Sequence, residues 1–202
     1  MASKIIVDQL QKTGLALTAL TLPSANASAS EFLQNDGAGA MSWAALPASG
    51  SVIKMAFLVD EKANNTNGGT FTSGDWRLRD LNTEYYDTIG VTIVTNKFKL
   101  PVGTFYIDWS APFASTANNQ SRLWNVDDGV VVKYGQNQYG QLSYVGTGSS
   151  DGSATVTTTI ALGTEFQIEH RCDNTYANTG FGWLTNYSNV CVFTTVKIMQ
   201  IS

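Results

Sequence analysis

The chain has 202 residues, 43% of them apolar and only 14% charged, with a formal net charge of -4. An acidic balance without Lys/Arg clusters excludes the electrostatic footprint of a nucleic-acid binder or of a protein that reads anionic membranes. The charged share is well under the usual ~25%, and Gly, Thr, Ser and Asn fill the gap, which favours strands and turns over helices.

The chain opens MASKIIVDQLQKTG, with Asp8 and Gln9 where a signal peptide needs an apolar run. Residues 14–22, GLALTALTL, are too short and too interrupted to cross a bilayer. No membrane insertion is expected. Residues 22–47 are rich in small side chains, and their large apolar residues are few: Leu22, Phe32, Leu33, Met41, Trp43 and Leu46. Such a segment cannot sustain a core alone. Asn35-Asp36-Gly37 marks a turn before Met41-Ser42-Trp43. Residues 1–47 therefore read as an extended arm, and the LPASGS seam at 46–51 leads into a domain over 48–202.

After the seam, turn signals separate short apolar runs, the pattern of a sandwich or barrel. Strands are expected at 53–61, 69–79 (irregular), 92–94, 97–100, 104–111, 121–126, 130–134, 141–145, 155–161, 165–172 and 190–200. Loops are expected at 64–69, 114–119, 146–153 and 173–180, all rich in Asn, Gly, Ser and Thr. Asp127-Asp128-Gly129 signals a tight hairpin. In GTFYIDWSAP, alternation sends Phe105, Ile107 and Trp109 to the core. No helix longer than a turn or two is expected, and no long repeat.

The last strand is apolar on both sides. Val190, Val192, Val196 and Ile198 share one face, and Cys191, Phe193 and Met199 the other. Two apolar faces need two covers: the domain's own core on one side and a second sheet, a loop or another copy of the chain on the other, which points to an oligomer. Phe57, Trp76, Phe193 and Met199 are the expected subunit-contact residues.

Four ordered segments carry a resemblance: SVIKMAFLVDEKANNTNGGTFTSGDWRLRDLNTEYYD, LPVGTFYIDWSAP, TEFQIEHRCDNTYANTGFG and VFTTVKI. Together they resemble the C-terminal head of phage and virus fibre-type proteins, which is similar to the jelly roll of tumour necrosis factor and of complement globular heads. The stretch with LP, FLQNDGAG and MSW resembles the short connector before such heads. The resemblance implies an all-β fold, a jelly-roll sandwich of ten strands, assembled as a homotrimer for attachment. No long shaft accompanies it here. It also implies a virion location, with residues 1–47 contacting other virion proteins.

Signs of catalysis are thin. The only histidine, His170, shares a strand face with Cys172, but no second His and no CxxC exists to complete a zinc site. Two cysteines, Cys172 and Cys191, are not a disulfide framework. Asp60-Glu61, Asp127-Asp128 and Glu165/Glu169 are the paired carboxylates. Glycoside hydrolysis needs two of them across a cleft. The Asp127 pair suits a turn, and Glu165 and Glu169 stand about 13 Å apart along one strand. No EF-hand loop is present. The expectation is a protein that is not an enzyme and carries no cofactor or metal.

Aromatic residues beside amides suit carbohydrate, because the ring covers the apolar sugar face and the amides meet its hydroxyls. Trp183, Asn186 and Tyr187 before the last strand, with Tyr139 and Gln141, are the candidate ligand contacts. The leading expectation is a short trimeric fibre or spike-type adhesin that meets a host glycan or receptor. The alternative is a capsid decoration protein whose arm clamps the shell. A secreted trimeric signalling ligand is a third reading, opposed by the absent signal peptide.

Overall fold

A computed structural model describes residues 9–10, 20–38, 40–45, 53–142, 146–187 and 189–202. It divides into two compact units, Met1–Val52 and Ile53–Ser202. No helix occurs among the described residues, and none of their segments is a helix long and apolar enough to cross a membrane.

The first unit holds two small antiparallel pairs. β1 (Gln9–Leu10) pairs with β2 (Leu20–Thr21), and β3 (Glu31–Asn35) with β4 (Met41–Ala45). The expected turn joins β3 to β4. Gly37 takes φ +83°, and its N–H donates to Asn35 Oδ1 at 2.6 Å, while Asp36 Oδ1 accepts from Ala38 and Ala40. Trp43 donates its indole N–H to the Ala25 carbonyl at 2.6 Å. None of the side chains described in this unit is buried.

The second unit is a two-sheet antiparallel sandwich. Its strands are β5 (Met55–Lys62), β6 (Arg77–Leu78), β7 (Thr83–Asp87), β8 (Thr92–Val94), β9 (Lys97–Leu100) and β10 (Gly103–Ala114). They continue with β11 (Ala117–Asn125), β12 (Val130–Gly140), β13 (Thr147–Thr158), β14 (Thr164–Cys172) and β15 (Cys191–Gln200). One sheet runs β13-β10-β15-β5-β7 and the other β12-β11-β14-β9-β8, with β6 set on β14. Apart from the β8–β9 and β11–β12 hairpins, successive strands cross between the sheets, as in a jelly roll, and ten of the strands lie on the two paths. The inner faces meet in one core, with Leu58, Phe105, Ile107, Trp109, Val196 and Ile198 from the first sheet and Phe98, Leu100, Leu123, Phe166 and Ile168 from the second. The alternation expected in β10 holds: Phe105, Ile107 and Trp109 are all buried.

Several boundaries move for physical reasons. Residues 147–153, expected as loop, belong to β13. Gly148 and Gly152 look like loop residues, yet they make room for aromatic rings on β10. A Cβ at Gly152 would lie 2.2 Å from the Trp109 ring and one at Gly148 2.7 Å from Phe113. β11 begins at Ala117, inside the expected 114–119 loop, after a tight turn in which Ser115 and Ala117 take positive φ. β12 runs on to Gly140 through Gln, Asn and Gly. Gln141 and Leu142 are not strand, and the rest of the expected 141–145 strand lies outside the described residues. In 69–79 only β6 and a bridge from Phe71 to Tyr176 form. β7, TEYYD, was not expected.

The two-faced last strand has a different cause from the one expected. Between Val192 and Thr195 the register against β5 shifts by a bulge. A bulge moves the following residues to the opposite face. Cys191 before it, Phe193 and Thr194 within it, and Val196 and Ile198 after it are therefore all buried. Only Val192, Lys197 and Met199 are left exposed on β15.

Candidate functional site

The outer face of the first sheet carries an exposed apolar groove. Register places Met55 opposite Met199, Met199 opposite Tyr106, and Phe57 opposite both Lys197 and Tyr86. A bulge between Phe57 and Leu58 brings Tyr85 beside Tyr86. The Tyr85 ring meets Phe57 edge-on at 5.7 Å, and its hydroxyl donates to Glu61 Oε2 at 2.5 Å. The groove encloses about 410 Å³ between Met55, Phe57, Tyr86, Tyr106 and Met199, with Asp108 and Lys197 at one side. Burial of so continuous an apolar strip is favourable, and such strips mark association surfaces.

A second cleft, of about 630 Å³, opens farther along the same sheet. Trp183, Leu184 and Thr185 form one wall, and Pro112, Phe113, Thr147 and Gly148 the other. The long segment that carries Trp183 is tied to the preceding loop. Gly69 N–H donates to Asn178 O, Asn178 N–H to Thr70 Oγ1, and Leu184 N–H to Asn67 Oδ1. Trp183 is 48% exposed and Tyr187 78%, and Asn186 is exposed as well. Gln141 is exposed just after β12; a Cβ at Gly146, next to Thr147 of the cleft, would lie 2.6 Å from its backbone nitrogen.

The structure thus separates the sequence-predicted residues into groups. Phe57 and Met199 meet in the apolar groove. Phe193 does not join them: it is 7% exposed, packed behind Gly182 at the base of the Trp183 cleft. Trp76 lies by the other sheet, with its ring over the Arg122 guanidinium at 4.1 Å. Tyr139, on β12, stands opposite Asn118 of β11 on that sheet's outer face.

The residues weighed for chemistry have structural partners. His170 is fully buried, with Nε2 3.0 Å from Asn119 Oδ1. Burial, with the Arg79 charge nearby, holds its pKa well below 6.5. Cys172 and Cys191 are free and buried, and burial pushes the Cys172 thiol up to about 11. No cluster of three His, Cys, Asp or Glu side chains with metal-binding geometry occurs among the described residues. Glu165 pairs with Lys97 at 3.0 Å, Glu169 with Arg122 at 2.5 Å and Asp60 with Lys62 at 3.0 Å. Asp127 Oδ2 accepts from Glu165 N–H, and Asp128 Oδ2 from Asn125 Nδ2, which braces the β11–β12 turn.

Sequence reasoning passed over Arg79. It is buried between the sheets, donates to Thr194 Oγ1 at 2.8 Å and to Phe181 O at 2.9 Å, and stacks on the Phe181 ring at 4.1 Å. Burial lowers its pKa to about 9. It also passed over the polar row Asn118, Gln120, Arg122 and Trp124. That row is legible as the outward half of ANNQSRLWN once the strand is started at Ala117.

No protein-family model matches the chain, and no curated protein matches it. Among solved structures, the chain is similar to the PRD1 vertex protein P5, at 14% identity and TM-score 0.48, over 76% of this chain and 100% of that one. It is similar to Eiger TNF from S. frugiperda at 11% identity and TM-score 0.49, over 74% of this chain and 93% of that one. It is similar to murine APRIL at pH 5.0 at 7% identity and TM-score 0.47, over 74% of this chain and 100% of that one.

Proposed function

We propose that this chain is a virion structural protein of a phage, a short homotrimeric spike or fibre-type head that contacts the host surface. Three copies associate through the outer face of the β13-β10-β15-β5-β7 sheet. Residues 1–47 serve as the arm that joins other virion proteins, and residues 48–202 form the head. The protein binds and does not catalyse.

One observation carries the assembly part of the reading: the exposed groove of Met55, Phe57, Tyr86, Tyr106 and Met199. Closed cyclic association covers such a strip on every copy at once. The arm is supported by a first unit with no buried side chain among those described and with Phe32 and Leu33 exposed on its hairpin. The attachment role is supported by aromatic residues beside amides on both outer faces, where distal loops vary without disturbing the sheets. Three copies of one shallow site also gain by avidity.

The test is the mass of the full chain by light scattering at micromolar concentration, followed by its binding to host cells. A trimer that binds cells supports the reading, and a monomer overturns it. A trimer found on the particle shell that binds no host cell shifts the assignment to capsid decoration, with the arm as the clamp.

A further inference from the structure

The outer face of the second sheet is organised around Arg122. Its Nε donates to Glu169 Oε2 at 2.5 Å, and Gln167 Nε2 holds the other carboxylate oxygen at 2.7 Å. The guanidinium lies 4.1 Å from the Trp76 ring and 4.4 Å from the Trp124 ring. Trp76 also meets the Tyr134 ring at 5.9 Å. The loop that carries Trp76 is folded by Arg77, which donates to Thr72 O and Ser73 O. An indole held this way is a wall fixed in advance, and a ligand that uses it loses little ordering entropy.

From that wall a cleft of about 440 Å³ runs along β11 past Gln120 and Asn118, with Gln138, Arg171 and Asp173 also lining it. Its polar groups are set but not used up. Gln120 Nε2 donates to Gly135 O at 3.0 Å, and its side-chain oxygen has no partner among the described residues. Asn118 Nδ2 donates to Asp173 Oδ2 at 2.7 Å. The Arg171 guanidinium has no ion pair or hydrogen bond among the described residues. Arg171 and Asp173 carry opposite charges, so the cleft has no net charge of its own.

We infer that this cleft, walled by Trp76 and lined by Asn118, Gln120 and Arg171, is a binding site for a neutral pyranoside glycan. This deepens the attachment reading above and rests on it. An indole covers the C–H face of a sugar ring, while amides, a guanidinium and a carboxylate match its hydroxyls as donors and acceptors. A polar cleft with one aromatic wall suits neither an apolar helix nor a lipid tail. Balanced charge on an acidic chain opposes a nucleic-acid ligand. The volume lies within the range of small-ligand sites. The cleft is on the opposite sheet from the apolar groove, so association through that groove leaves it open.

The test uses the isotope-labelled full chain titrated with methyl glycosides of glucose, galactose, mannose and N-acetylglucosamine and with their short oligomers, read by nuclear magnetic resonance. The expected result is a shift of the Trp76 indole N–H and the Gln120 side-chain amide at millimolar sugar. Gln120→Ala and Arg171→Ala, both on the solvent side of their strands, should each weaken that response about tenfold or more; Arg171→Ala should leave the melting temperature unchanged, and Gln120→Ala should lower it only by the loss of the Gly135 hydrogen bond. No shift at Trp76 with any of these sugars, or shifts confined to the Trp183 indole, overturns the site. Host-cell binding separates the two ideas. If cells bind the protein but Gln120→Ala and Arg171→Ala bind equally well, this site is wrong and the adhesin reading stands. If sugars shift Trp76 but no host cell is bound, the adhesin reading is wrong and the sugar site stands.

Discussion

The indole N–H of Trp109 donates to the Ser121 hydroxyl at 2.8 Å, which joins the two sheets through the middle of the core. The Ser121 hydroxyl in turn donates to the Ser150 carbonyl at 2.8 Å, and the Ser150 hydroxyl reaches the Gln136 carbonyl at 2.6 Å. A buried tryptophan needs a partner for its N–H, and here that need orders β10, β11, β12 and β13 together.

This arrangement depends on the absence of a side chain at Gly152. A methyl group there would overlap the Trp109 ring. Gly152→Ala should destabilise the protein by about 1–3 kcal/mol, the usual cost of overpacking a dense core. A lower urea midpoint with quenched or shifted tryptophan fluorescence is the expected readout. An unchanged midpoint would show that Trp109 has room to move.

Arg79 is a buried cation whose Nε relies on Thr194. Thr194→Val keeps the shape and removes the acceptor. Stability should fall by about 1.5–3 kcal/mol, the range for hydrogen bonds to charged groups. The denaturant slope should stay the same, because the compactness of the folded state does not change.

His170 gives a pH dependence with a definite sign. Its folded pKa lies well below 6.5, so the folded state keeps the ring neutral. The unfolded chain takes up a proton below about 6.5. The contribution of His170 is thus complete above that pH and is lost as pH falls, by up to ~1.4 kcal/mol per pH unit. Melting curves of wild type and His170→Asn between neutral and mildly acidic pH should differ in slope, with the variant flatter. Parallel slopes would show that His170 takes up its proton alike in the folded and unfolded chain.

The apolar groove yields a prediction about mass. Phe57→Lys with Met199→Lys places two charges in the strip proposed to be buried. The complex should dissociate to roughly a third of its mass by light scattering. Both side chains point out of the sheet, so the far-ultraviolet circular dichroism should be unchanged. A trimer that survives the double change uses another surface.

How much of this was readable from the residues depends on where the strands are regular. β10 alternates without a break, so Phe105, Ile107 and Trp109 were assigned to the core correctly. β15 also alternates, but its bulge changes face partway, and a period-2 reading took one buried face for two. The first half of β13 was hidden because Gly148 and Gly152 carry a packing requirement set by Phe113 and Trp109 of β10, which lie far away in sequence. The groove was half-legible. Phe57 and Met199 were named, but Tyr86 and Tyr106 reach it only through strand pairing, which the local sequence does not encode. Arg122 went unnoticed because its value lies in neighbours from three separate elements.

Met55 pairs with Met199, so the opening strand of the sandwich finds its central neighbour only in the closing one. A growing polypeptide on the ribosome therefore exposes both edges of β10 and β5 that β15 will later join. Contacts so distant along the chain form slowly, and unpaired strand edges invite aggregation while they wait. Trimming a few residues from the end of β15 should thus reduce the yield of soluble protein far more than it reduces the surface buried in the finished molecule.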